Sequence, residues 1–321
     1  MTSERPLIVV PGDDPVQIGD SPRLDPLRSV AELRVFHDRP ADVAEQVRRA
    51  SGADVLINSR SQLKWNAETL AALPKLRMIA VCGIGTDAID LAAARERNIV
   101  VCNVPGKTAA IVAEHVIALL FAVAKRTSFQ TAELRGGRWT RKLNVTLAGK
   151  TLGVIGTGAI GSRVVAVAKA LGMNVVAWTF RPTAERATEL GAPFLELDEL
   201  LQVSDAVSLH VRLSPETRGL IGARELSLMK PGAMLINTAR GPVVDTDALV
   251  ESLNSGRLTG AGLDVFDQEP LPPDHPILSC EQVVLTPHNA DQTPEGIDLV
   301  NQGAVDAVLA FLAGSPRNMV T

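Results

Sequence analysis

The chain reads as an α/β protein with two parallel-sheet domains. Three observations carry this reading. Strand-like and helix-like patterns alternate over residues 40–103, the alternation resumes over 151–286, and a glycine-rich turn, Gly156-Thr157-Gly158-Ala159-Ile160-Gly161, opens the second run between a strand pattern and a helix pattern. With 321 residues, 46% of them hydrophobic and 21% charged, the chain has core enough for two domains of ordinary size.

The first run is built as follows. Asp38 and Pro40 suit the start of a helix at 41–50, Gly52 suits its stop, and residues 54–57 read as a buried strand. A helix at 68–73, a strand at 76–81, a helix at 89–97 and a strand at 99–102 continue the alternation. One long apolar helix pattern then covers 109–126, and Arg135-Gly136-Gly137-Arg138-Trp139 breaks the periodicity after it.

In the second run, strands are expected at 151–155, 174–178, 206–210, 234–237, 260–264 and 283–285, with amphipathic helices between them. A last helix is expected at 296–313, flanked by Pro294 and Gly314. There is no repeat of solenoid period and no low-complexity tract.

Composition narrows the function classes. A net charge of -4 with scattered lysines and arginines offers no basic stripe, so nucleic acid is not an expected partner. The apolar run at 7–10 is too short for a signal segment and no apolar stretch reaches about 18 residues, so a cytoplasmic protein without a membrane span is expected. Cys82, Cys102 and Cys280 make an odd count, and the first two lie in or near apolar strand-like runs, as buried thiols rather than a disulfide would. The five histidines, His37, His115, His210, His275 and His288, lack ligand-type spacing, so no metal site is expected.

The glycine turn carries a definite chemistry. Gly156 permits a tight turn, Gly158 lets the backbone approach a pyrophosphate, and Gly161 lets the following helix pack closely on the sheet. The free N–H groups at that helix start, on Ala159 and Ile160, then face the phosphates of a dinucleotide. About 20 residues on, an acid would hold the ribose hydroxyls of NAD, but Thr179 stands there and Arg181 follows. Without a carboxylate to repel a 2′-phosphate, and with an arginine to attract one, the pattern gives a slight preference for NADP over NAD; the alternative is that Arg181 is a solvated turn residue.

Downstream come Asn237-Thr238-Ala239-Arg240-Gly241, then Asp264-Val265-Phe266-Asp267-Gln268-Glu269-Pro270, then Thr286-Pro287-His288. An arginine, a glutamate and a histidine following a nucleotide loop are the parts needed to move a hydride onto a carbonyl beside a carboxylate. Together with Gly83-Ile84-Gly85-Thr86-Asp87, Val112-Ala113-Glu114-His115 and Ser208-Leu209-His210-Val211-Arg212-Leu213-Ser214-Pro215-Glu216-Thr217, these motifs resemble the D-2-hydroxyacid dehydrogenase family in order and over most of the chain.

The resemblance implies two Rossmann-like parallel-sheet domains, the coenzyme domain (104–288) inserted into a flavodoxin-like substrate domain made of 1–103 and 289–321. It implies a cleft that closes to exclude water, and a homodimer formed largely through the coenzyme domain, with 129–147 as the expected contact. Arg240 is expected to hold the substrate carboxylate and polarise the ketone, His288 to act as acid or base, and Glu269 to fix the imidazole tautomer and raise its pKa. The backbone amides of Ile84 and Gly85 are expected to bind the carboxylate, with Arg60 reaching the same cleft in some relatives. On the coenzyme side the resemblance implies Val112, His210 and Thr217, with Thr238, Ala239 and Asp264 near the nicotinamide; Arg212 departs from a usual proline and is a candidate for a 2′-phosphate or adenosine contact, the alternative being a surface charge.

Two departures and three alternatives stand beside this reading. Asn289 and Asp291 replace small apolar residues after the histidine and leave the substrate side chain open, from glyoxylate and hydroxypyruvate to bulkier 2-oxo acids. The related formate dehydrogenases carry glutamine where Glu269 stands, which argues against that activity; phosphite oxidation and a nucleotide-sensing corepressor of the same fold stay open. The chain ends at Thr321 soon after the last helix, so a C-terminal regulatory domain of the long phosphoglycerate dehydrogenases is not expected.

Overall fold

The computed structural model describes residues 5–60 and 63–321, so the first four of the residues leading into the apolar run at 7–10 lie outside the described part. Two compact units divide the chain: residues 1–108 with 292–321, and residues 109–291.

The first unit is a parallel sheet of β1 (Leu7–Val10), β2 (Glu32–Val35), β3 (Val55–Ser59), β4 (Met78–Cys82) and β5 (Val100–Cys102), in the order β2-β1-β3-β4-β5. That is the flavodoxin-like order. Strands β3 and β4 are buried at every residue because helices cover both faces of the sheet. Alternation then sorts their side chains: Ile8, Val55, Ile57 and Met78 meet Val300, Ala304 and Val308 of the helix Pro294–Leu312, while Val9, Leu56 and Ile79 meet Trp65 and Leu70 on the other face.

Sequence patterning missed β1 and β2. The first is only four residues long, and the second is an edge strand of alternately exposed and half-buried residues with little apolar signal. The helix expected from 41 begins instead at Val43, because Asp42 is the cap: its Oδ1 accepts the N–H of Glu45 at 2.7 Å. Asp38 is engaged elsewhere, 2.7 Å from Arg49. The last helix takes in Pro294, whose missing N–H costs nothing in the first turn, with Thr293 as its cap.

The second unit holds β6 (Thr151–Ile155), β7 (Asn174–Trp178), β8 (Ala206–Leu209), β9 (Ala233–Asn237), β10 (Leu258–Leu263) and β11 (Val283–Leu285), all parallel, in the order β11-β10-β9-β8-β6-β7. A single parallel bridge from Ala177 to Phe194 adds a rudimentary strand outside β7. The strand order reverses between β6 and β8, the switch point at whose carboxyl end open α/β sheets bind ligands.

The helix expected over 109–126 forms as Ala109–Ala124, and a second helix that the pattern did not announce, Thr127–Arg135, follows it, the two parted by Arg126 in the left-handed region at φ 51°. The break is set by distant chain. The N–H of Val145 donates to the Ala124 carbonyl at 2.8 Å, and Lys125 and Arg126 reach back to the carbonyls of Val145 and Leu143. Cys82, Cys102 and Cys280 are buried free thiols. Among the described residues no helix is long and apolar enough to cross a membrane.

Candidate active site

At the switch point, β6 runs into the glycine turn and the helix Ala159–Ala170. Gly156 has φ 96°, and a Cβ there would lie 2.7 Å from the carbonyl carbon of His210, so this turn lies directly against the end of β8. A Cβ on Gly161 would fall 2.0 Å from the Gly156 carbonyl oxygen; the helix packs where only hydrogen fits. Gly158 differs, since a Cβ there would meet no protein atom within 4 Å. The helix start has no side-chain cap, leaving the first N–H groups, those at Ala159 and Ile160 among them, facing the open side.

Around this turn lie the other coenzyme-side candidates. Thr179 follows β7, whose last carbonyl, on Trp178, accepts the N–H of Gly156 at 2.9 Å. Arg181 is exposed, and its carbonyl accepts a hydrogen bond from Arg186. Arg186 also donates to Thr157 Oγ1 at 3.0 Å and stacks over Phe194, so it leans onto the glycine turn itself. With Thr157, Ser162, Ala166 and Leu190 these two side chains line a cavity of about 250 Å³. Sequence reading passed over Arg186 because it sits in a helix with nothing to mark it; only the fold brings it back to the turn.

His210 has its Nε2 2.8 Å from Ser208 Oγ, and its buried Nδ1 has no partner in the protein. Burial pushes its pKa down to about 3, so the ring is neutral. Thr238 Oγ1 is likewise buried and without a partner. Two orphaned polar atoms, an open glycine and an uncapped helix start at the carboxyl end of the sheet fit a dinucleotide, which would satisfy them. Val112 is a buried residue of the helix Ala109–Ala124, and Arg212 is exposed. Thr217 is buried with its hydroxyl engaged inside its own turn: it accepts from Ser214 N at 2.8 Å and donates to the Arg212 carbonyl at 2.7 Å.

The candidate acid-base constellation comes from the ends of β9, β10 and β11. Asn237, buried at the end of β9, staples the loop that follows: its Oδ1 accepts the N–H of Ala239 at 3.0 Å and its Nδ2 donates to the Arg240 carbonyl at 2.9 Å. Arg240 in turn donates to the Ala239 carbonyl at 2.7 Å. A Cβ on Gly241 would lie 1.9 Å from the carbonyl carbon of Phe266, so the Arg240 loop is seated on the backbone that leads to Glu269.

Glu269 accepts the Phe266 N–H through Oε1 at 2.9 Å and meets His288 Nδ1 through Oε2 at 2.7 Å. Burial works against the charged imidazole, but the hydrogen bond and charge of Glu269 outweigh it, and the His288 pKa is raised above its ordinary value. Burial likewise opposes the Glu269 carboxylate and is outweighed by the bond from His288, so its pKa is lowered. An ionised glutamate accepts, so Nδ1 carries a proton and Nε2 is the nitrogen left to exchange one.

His288 itself has φ 51°, a left-handed conformation that costs on the order of 1 kcal/mol and persists only where neighbours over-determine it. Asp264, 1% exposed, supplies that restraint. Its Oδ1 accepts the Thr286 hydroxyl at 2.6 Å and the Asn289 N–H at 2.9 Å, and its Oδ2 accepts the Ala290 N–H at 3.1 Å.

In the first unit, Arg60 follows β3 with φ 53°, and its buried Nε has no partner. Ile84 and Gly85 lie in the turn after β4, where Asn103 Nδ2 donates to the Ile84 carbonyl at 2.7 Å. Among the described residues there is no group of three or more metal-ligating side chains.

Residues 117–290 match the family model described as D-isomer specific 2-hydroxyacid dehydrogenase, NAD binding domain. A glyoxylate reductase of Aeropyrum pernix is 40% identical over 282 residues, 85% of this chain and 84% of that one. A D-3-phosphoglycerate dehydrogenase of Archaeoglobus fulgidus is 40% identical over 264 residues, 81% of this chain but only 50% of its own length, so the chain spans about half of that relative. Among solved structures, an NADPH-dependent glyoxylate/hydroxypyruvate reductase from Sinorhizobium meliloti, in complex with NADP and malonate, superposes with a TM-score of 0.87 at 30% identity, covering 99% of this chain and 97% of that one.

Proposed function

The chain belongs to the D-isomer specific 2-hydroxyacid dehydrogenase family, and we propose that it interconverts a small 2-oxo acid and its D-2-hydroxy acid with a nicotinamide cofactor, NADP in preference to NAD. The observation that carries the reading is the Glu269-His288 pair, 2.7 Å apart, with Arg240 close enough to lower the pKa of one and oppose protonation of the other. When bound, the reduced nicotinamide supplies the hydride. Arg240 holds the substrate carboxylate and polarises the adjacent ketone through its planar fork. His288 hands its Nε2 proton to the carbonyl oxygen as charge grows there, and Glu269 stabilises the imidazolium that does so.

The names of the relatives favour glyoxylate or hydroxypyruvate as the substrate. Ile84, Gly85 and Arg60 are proposed for the carboxylate on the strength of the motif match. Arg181 and Arg186, beside a position where Thr179 replaces the usual acid, support the NADP preference.

We also propose a homodimer formed through 129–147. Leu134, Trp139 and Leu143 are 55%, 77% and 92% exposed, a cost for a lone chain that a second copy would remove. Sedimentation giving only monomer would reject it. Buried free thiols suit the reducing cytoplasm as its compartment.

The test is oxidation of NADPH, and separately NADH, followed at 340 nm with glyoxylate, hydroxypyruvate, pyruvate and bulkier 2-oxo acids. Turnover of the small acids with NADPH is expected. Tight dinucleotide binding with no turnover of any acid would favour the nucleotide-sensing alternative.

A further inference from the structure

His115 stands on the helix Ala109–Ala124, a helix whose buried side chains are alanine, valine and leucine. It lies outside the acid-base constellation, and nothing in the chemistry described so far uses it. Yet its Nε2 is 2.9 Å from Thr286 Oγ1 and 3.5 Å from Asp264 Oδ1.

The hydrogens in this group can be counted. Thr286 has one hydroxyl hydrogen, and it goes to Asp264 Oδ1 at 2.6 Å. Toward His115 the same oxygen therefore presents a lone pair, and Nε2 must be the donor. The carboxylate at the far end is 1% exposed, and among the described residues no lysine or arginine comes within 4.0 Å of it. Its charge is held by the Thr286 hydroxyl and by the N–H groups of Asn289 and Ala290, with His115 the one basic side chain at ion-pair distance among the described residues.

Those three bonds end on both sides of His288, the residue held at φ 51°. A buried carboxylate thus clamps the turn, and the hydroxyl that completes the clamp is itself oriented from outside by His115. A valine or leucine at 115 would pack against the same helix neighbours and leave the Thr286 hydroxyl free to rotate away from Asp264.

We propose that His115 is a positioning residue for the reaction: by donating Nε2–H to Thr286 it locks that hydroxyl onto Asp264 and so holds the turn that presents His288. The kinetic half of this inference rests on the activity proposed above; the protonation half does not.

The experiment has two arms on the full-length protein. Long-range 1H–15N spectra of the histidine rings at neutral pH, with His115→Gln to assign the signal, are expected to show the proton of His115 on Nε2. A neutral ring protonated on Nδ1 overturns the proposal, even if no substrate is ever turned over. In the kinetic arm, His115→Phe is expected to lower kcat by about ten- to a hundredfold, the scale of a small misplacement of a reacting group, while the dinucleotide KM and the melting temperature hold.

His115→Gln, whose amide nitrogen can occupy the Nε2 position, is expected to restore most of the rate. Adding Thr286→Val to His115→Phe is expected to cost no more than Thr286→Val alone, since Thr286→Val already removes the bond that His115→Phe removes. Equal losses in the Phe and Gln variants, fully additive losses, or a Phe variant within twofold of wild type each overturn it. Failure of wild type on every 2-oxo acid would count against the proposed function, and the spectra would still decide the role of His115.

Discussion

Oε2 of Glu269 lies 2.7 Å from Nδ1 of His288 while Oε1 of the same carboxylate accepts the Phe266 N–H at 2.9 Å. One side chain therefore ties the imidazole to the backbone segment against which Gly241 is seated, and so to the loop that carries Arg240. Orientation and charge are supplied by the same group, and the two can be separated by mutation.

Glu269→Gln keeps a hydrogen-bonding partner of the same length and removes the charge. Because the Glu269 charge raises the His288 pKa, its loss lowers that pKa. In the proposed mechanism reduction requires protonated His288, so the rate should fall as pH rises through this pKa, and in the variant the fall should come at lower pH. Profiles of kcat/KM against pH in the reductive direction, superimposable for variant and wild type, would contradict the assignment.

His288→Ala should cut turnover by about two to four orders of magnitude, the usual worth of a general acid. Dinucleotide affinity, read from the fluorescence of Trp178 near the glycine turn, should change little. Near-normal turnover would remove His288 from the mechanism.

Two glycines should respond in opposite ways. Gly241→Ala places a methyl 1.9 Å from the Phe266 carbonyl carbon, and backbone cannot step aside cheaply. A loss of about 1–3 kcal/mol or more in stability is expected, with a fall in kcat as Arg240 is displaced. Gly158→Ala meets no protein atom within 4 Å, so its melting temperature should match wild type while the Kd for either dinucleotide rises. Calorimetric melting and titration distinguish these outcomes.

Arg186→Ala should weaken NADPH binding more than NADH binding, since its guanidinium touches Thr157 of the glycine turn and holds the Arg181 carbonyl. Thr179→Asp should act in the same direction by adding a charge that repels a 2′-phosphate. Equal effects on the two dinucleotides in titrations with each would place these residues away from the ribose.

The α/β class, most of the strands and the glycine turn were legible in the residues because each is local: β6, β7 and β11 are short apolar runs whose pattern needs no distant partner. The proposed triad of Arg240, Glu269 and His288 rests in the sequence on a different ground, residue types in order whose combined chemistry has few other uses. Patterning missed the weakly marked edge strand β2, and it did not announce the second helix, Thr127–Arg135, that follows the left-handed Arg126 held by distant chain.

The fold decided how the parts are held. Asn237 stapling the Arg240 loop, Gly241 seated on Phe266, Asp264 clamping the His288 turn and His115 reaching Thr286 all join residues that are remote in the chain or whose bonds depend on a turn made elsewhere. Residue type announces which groups can bear charge or exchange a proton. Which hydrogen each one gives, and to whom, is settled by packing, because a buried polar atom takes whatever partner the surrounding strands bring within about 3 Å.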